Sequence, residues 1–173
     1  MRDDEILNIV MRNHSLREVG VEHGSIEHEM YVNARPEVVF DVVSDPDHIT
    51  TWWPDAARYE RRAGASGEIV FGDPGQGGKV VQLTVVEVSP PRTFAFRWTH
   101  PADEDAAVGN SLLVTFTLVP SGEGTIVRFV ETGFREMDRE AAVREQLYND
   151  HASGWAHFLP RLGPQAEAMA ARR

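Results

Sequence analysis

From Ala56 to Thr132 the chain follows the two-residue period of β-strands, broken only by short clusters of Gly, Pro, Asp and Ser, and one long helical stripe comes after it. That order leaves few ways to bury apolar surface. Turn signals fall at Ala63-Gly64, across Gly72 to Gly78, at Ser89-Pro90-Pro91 and across Pro120 to Gly124. Between them the pattern predicts six strands, at residues 58–62, 68–71, 79–88, 93–99, 111–119 and 125–132. Strands joined by these four short turns pair antiparallel, because a parallel pair needs a crossover of about a dozen residues or more, and with the longer stretch 100–110 between the fourth and fifth strands the order describes a meander.

A seventh strand precedes them, since Ile26, His28, Met30 and Val32 alternate with Glu27, Glu29, Tyr31 and Asn33 from Ser25 onward. Pro36 then suits a first helical position with Glu37 behind it, and Val39, Phe40 and Val43 form an apolar stripe. Asp45-Pro46-Asp47 repeats the start signal for a second short helix, running through Thr51-Trp52-Trp53 and stopped by Pro54. The final helix is expected to begin at Asp138 as N-cap and to bury Val143, Leu147, Trp155, Phe158, Leu159 and Leu162. Pro160 should bend it, and Gly163-Pro164 is the expected break before a last Ala-rich turn. The expected class is α+β: a curved seven-stranded antiparallel sheet around a long C-terminal helix, with two short helices after the first strand. One helix cannot fill the whole concavity of such a sheet, so an internal pocket is expected.

At 173 residues the chain suits one domain, here residues 25–173, with residues 1–24 as an extension that is weakly ordered or a short helix. Seventeen Lys and Arg against twenty-seven Asp and Glu give a net charge of -10, which disfavours nucleic acid and anionic membrane surfaces as partners. The absence of cysteine excludes disulfides, thiolate metal sites and a Cys nucleophile. The first residues are acidic where a signal peptide is basic, and the apolar patch Ile6 to Met11 is too short for one, so a cytoplasmic location is the expectation.

Several stretches in this order carry a family resemblance: Ala34-Arg35-Pro36-Glu37-Val38-Val39-Phe40, Ser44-Asp45-Pro46-Asp47-His48 with Trp52-Trp53, and Val86-Glu87-Val88-Ser89-Pro90-Pro91 with Phe94-Ala95-Phe96-Arg97-Trp98. Thr115-Phe116-Thr117-Leu118, Gly124 to Gly133, and Gly154-Trp155-Ala156-His157-Phe158-Leu159 continue it, so that residues 25 to about 162 are covered. The sequence resembles the SRPBCC (START-like) superfamily, and within it the Aha1-type branch, also called the activator of Hsp90 ATPase homologue family. The resemblance implies the helix-grip fold, with a small apolar molecule bound or converted in the cavity. The chaperone link in the family's name belongs to eukaryotic members with a separate N-terminal domain, for which these residues show no counterpart. A chaperone partner is therefore unsupported, and a homodimer stays open.

The candidate ligand-binding residues are Trp52, Trp53, Phe94, Phe96, Trp98, Phe116, Phe129, Glu131, His28, Trp155 and Phe158. Trp52 and Trp53 either plug the end of the sheet or wall the pocket. Phe94, Phe96 and Trp98 share one strand face, as do Val127, Phe129 and Glu131. The resemblance places the latter face inward, with Glu131 where relatives often carry His. A carboxylate there either reaches solvent at the rim or is buried and needs a partner, for which His28 on the inward face of the first strand is the candidate. Arg97 is excluded because it points away from Phe96 and Trp98. His151 and His157 lie six apart on the last helix and cannot form the i, i+4 pair of a zinc site. No metal or cofactor is expected. Asp73 stands where a phosphate-binding loop before Gly78 needs Gly, and no nucleophile elbow is present.

Three functions compete on this reading: a carrier or sensor holding a small hydrophobic molecule, an enzyme using the same pocket with Glu131 or His28 as acid or base, and a protein-interaction module. The first, which needs no catalytic group, is preferred by a modest margin because fold resemblance alone does not license an activity.

Overall fold

The computed structural model describes residues 24–173. The expected N-terminal extension, residues 1–24, lies outside this range except for its last residue. Strand β1 (Ser25–Val32) is followed by helices α1 (Pro36–Ser44) and α2 (Pro46–Ile49). The meander then runs through β2 (Ala56–Arg58), β3 (Ser66–Phe71), β4 (Lys79–Ser89), β5 (Thr93–Trp98), β6 (Leu112–Ser121) and β7 (Gly124–Thr132). Helix α3 (Ala141–Phe158), a 3-10 turn (Leu159–Arg161) and α4 (Leu162–Arg172) complete the fold.

All seven strands form one curved antiparallel sheet in the order β1-β7-β6-β5-β4-β3-β2. The meander supplies six strands in sequence, and β1 closes against the last of them with Ile26 opposite Glu131 and His28 opposite Phe129. Because facing residues point to the same side of a sheet, His28 and Glu131 share the concave face. The two short helices span the gap between the two edge strands. Their separation is sharp because Asp45 caps α2 through the Asp47 N–H at 2.9 Å, while Pro46 fits the first turn, where no N–H is required.

Five sequence expectations are corrected. The second short helix ends at Ile49 and does not run through Thr51-Trp52-Trp53, which lie in the turn after it. Strand β2 lies at Ala56–Arg58 and not at 58–62, because Tyr59 turns inward to donate to the Ser44 carbonyl at 2.7 Å. Helix α3 starts at Ala141 with Glu140 as N-cap, since the Asp138 N–H is already bonded to Gly109 O at 2.9 Å. Val143 is exposed and takes no part in the buried stripe. The helix breaks at Leu159–Arg161, one turn before Gly163-Pro164, and Pro164 sits in the first turn of α4, where its missing N–H costs nothing.

Helix α4 is anchored by Leu162, Ala166 and Met169 and by Arg173, which pairs with Asp41 of α1 at 2.8 Å. Burial raises the Asp41 pKa, but hydrogen bonds from Arg173 and Arg61 outweigh that and leave it below the usual carboxylate value. Helix α3 is different: Trp155 is its one fully buried residue, and Leu147, Tyr148, His151, Ala152 and Phe158 are half-buried. It meets the sheet through large side chains. No helix among the described residues is long and apolar enough to cross a membrane.

Candidate functional site

The concave face is lined by alternate residues of β5, β6 and β7, which puts Phe94, Phe96, Trp98, Phe116, Phe129 and Glu131 on one surface. Helix α3 brings His151, Trp155 and Phe158 down on it, at helical spacings that share a face. The turn after α2 brings Trp52 and Trp53 in from the side.

Trp52 is wholly buried, and its N–H is bonded to Val42 O at 2.9 Å, which ties it to α1. Trp53 stands at the centre of the ring cluster, with ring centroids 4.8 Å from Trp155, 5.0 Å from Trp98 and 5.7 Å from Phe96. Phe129 lies 4.5 Å from Trp155 and 5.3 Å from Phe116. Phe94 extends the row toward Tyr59, and Phe158 meets Phe71 at 6.3 Å. All the aromatic candidates belong to one continuous set of ring contacts.

Glu131 is the polar centre of this set and has no solvent exposure. Its Oε2 accepts from Trp98 Nε1 at 2.6 Å, and its Oε1 accepts from Trp155 Nε1 at 2.9 Å. The third contact is His151 Nδ1, 2.8 Å from Oε1. Indole N–H groups only donate, so both carboxyl oxygens act as acceptors, and with the group ionised Nδ1 carries the hydrogen of the third bond. One side chain thus joins β5, β7 and α3. The expected partner was His28, and this is corrected: His28 shares the face but stands edge-on to Phe129 at 6.1 Å, and His151 takes the place beside the carboxylate.

Sequence reasoning had set His151 aside with His157 as a failed zinc pair. The signal it passed over is the i, i+4 spacing of His151 and Trp155, which places the histidine one turn from a buried indole and on its face. Phe134 was also missed. Gly133, at φ 110°, turns the chain after β7 and drops Phe134 into the core against the His151 ring at 5.7 Å.

At the end of β5, Thr99 has a φ of 70°, which is costly for a β-branched residue. It is held there by His100, buried between Thr84 Oγ1 and Pro101 O at 3.1 Å each. This bend fixes where the strand stops, and so where Trp98 points its N–H. Among the described residues, no group of His, Asp and Glu is arranged to hold a metal ion.

Burial lowers the His28 pKa from its usual 6.5, because the apolar surroundings disfavour the imidazolium. The unfolded chain therefore takes up the proton first, and stability declines as pH falls through 6.5 toward the lower folded value. With His28→Asn, the urea midpoint measured between about pH 7 and pH 5 should fall less steeply than in the unaltered protein. An identical slope would mean that His28 is not desolvated.

The family model described as activator of Hsp90 ATPase homolog 1-like protein matches residues 33–164. Among solved structures, protein MLL2253 from Mesorhizobium loti is 22% identical with a TM-score of 0.64, covering 83% of this chain and 97% of its own. Protein NE0264 from Nitrosomonas europaea is 14% identical with a TM-score of 0.68, covering 86% and 97%. The Aha1 dimer from Colwellia psychrerythraea is 20% identical with a TM-score of 0.60, covering 80% and 92%. At these identities the structures share the helix-grip fold. No curated protein matches the chain.

Proposed function

The chain belongs to the activator of Hsp90 ATPase homolog 1-like family, and from that premise we propose that it binds a small, largely apolar molecule between α3 and the concave face of the sheet. The observation that carries this reading is Glu131, a carboxylate with no exposure set in the middle of an aromatic surface. A core built for stability alone is as well served by an apolar residue there, since burying a charge is costly even when it is paired. A buried carboxylate that fixes two indoles and an imidazole inside an apolar wall instead suits a binding site, whose occupant meets side chains held in set directions.

Trp53, Phe96, Trp98, Phe129 and Trp155 would form the wall nearest the ligand, with His28, Trp52, Phe94, Phe116 and Phe158 behind or beside it. The half-buried residues Phe71, Leu147 and Phe158 mark an edge of the ring cluster that reaches solvent, and entry there would require the α3 side chains to give way. Each Å² of apolar ligand surface taken from water contributes about 25 cal/mol, enough to hold a molecule with no further polar contact.

Titration with the uncharged dye Nile red under native conditions should show saturable binding, displaced by other apolar molecules and weakened by Phe96→Trp. Dye binding confined to the unfolding transition would overturn the reading. Native mass spectrometry of freshly purified protein would show any ligand carried from the cell. The same spectra would test a homodimer, which we propose only on the likeness to the Colwellia relative.

A further inference from the structure

We propose that His151 takes the proton of a weakly acidic hydroxyl on the bound molecule, so that the ligand is a planar aromatic bearing a phenol or enol group. This rests on the binding reading above and adds the ligand's chemistry to it. The Nδ1 of His151 donates to Glu131 Oε1 at 2.8 Å, and in a neutral imidazole that leaves Nε2 as a lone-pair acceptor. Nε2 has no hydrogen-bond partner among the described residues and is not one of their buried unpartnered atoms, while the side chain is 13% exposed. The ring is packed between Trp98 at 5.0 Å and Phe134 at 5.7 Å, which places it at the edge of the ring cluster.

An imidazole oriented by a buried carboxylate is well placed to accept a proton, because the carboxylate stabilises the imidazolium that forms. In the step proposed, the ligand O–H bond breaks, its electron pair stays on oxygen and the proton bonds to Nε2. An oxyanion, an imidazolium and the Glu131 carboxylate then lie in line, and the charge of the complex is unchanged. A carboxylic acid suits the site less well. It arrives already ionised at a chain of net charge -10 and must lose its hydration near Glu131, whereas a phenol arrives neutral. The indole planes of Trp98 and Trp155 favour a flat ring beside the hydroxyl.

The test compares 3-nitrophenol with its methyl ether, 3-nitroanisole, at a pH above the ionisation of an ordinary imidazole and below that of the free phenol. The phenol should bind about tenfold more tightly, as expected for one charge-assisted hydrogen bond, and its bound spectrum should show the red-shifted phenolate band. His151→Gln, whose amide can still donate to Glu131, should abolish the band and bring the affinity of the phenol down to that of the ether. Equal binding of both molecules, or a bound phenol with a neutral spectrum, would overturn this proposal and leave the apolar binding reading standing. If neither molecule binds, both fail.

Discussion

Glu131→Gln should destabilise the protein by about 2 to 4 kcal/mol, although the two side chains are nearly the same size. The carboxylate accepts from three N–H groups, two of them indoles that can do nothing but donate. An amide presents one oxygen and one NH2, so whichever way it is turned, a donor faces a donor. If the oxygen serves Trp155 and His151, the amide nitrogen meets Trp98 Nε1 where 2.6 Å now separates donor from acceptor. The remaining bonds also lose their charge assistance. Denaturant unfolding checks this, and the Trp98→Phe background sharpens it: with the opposed N–H removed, Glu131→Gln should cost visibly less than it does alone. Equal cost in both backgrounds would mean that the indole is not bonded to the carboxylate.

Trp155→Ala should cost about 3 to 5 kcal/mol, the range for a large aromatic truncated in a core. Trp155 is 2% exposed, touches Phe129, Trp53 and Trp98, and fills one of the acceptor positions of Glu131. It is also the one fully buried residue of α3, where half-buried Leu147, Tyr148, Ala152 and Phe158 and the His151–Glu131 contact supply the rest of the attachment to the sheet. Val143→Ala, twelve residues earlier on the same helix, should change the melting temperature little, because Val143 is 49% exposed. Similar effects from the two substitutions would contradict the placement of α3.

The strands were legible because a sheet with one buried face records its period directly in the sequence: Phe94, Phe96 and Trp98 could be assigned to one surface by counting in twos. Helix α3 was harder to read. Its stripe is thin, with one buried residue in eighteen, and Val143 looked like part of it by spacing alone. Alternation put Glu131 on one face with Val127 and Phe129, and the family resemblance turned that face inward, but neither pointed to its partner. His151 is twenty positions away on another element, and only the tertiary packing decides which of two histidines reaches a buried carboxylate. Thr99 was equally hidden, since a β-branched residue gives no local sign of positive φ.

All four tryptophans of the chain fall in this one cluster: Trp53 lies 6.0 Å from Trp52, 5.0 Å from Trp98 and 4.8 Å from Trp155, and the last two are 5.8 Å apart. Indoles this close pass excitation to one another, and the chain has no tryptophan elsewhere to dilute the cluster's emission. Two of its members share the Glu131 carboxylate as hydrogen-bond acceptor. Light absorbed by any of the four therefore reports on the same ring cluster, and the protein carries a built-in optical gauge of the region where its function is proposed to lie.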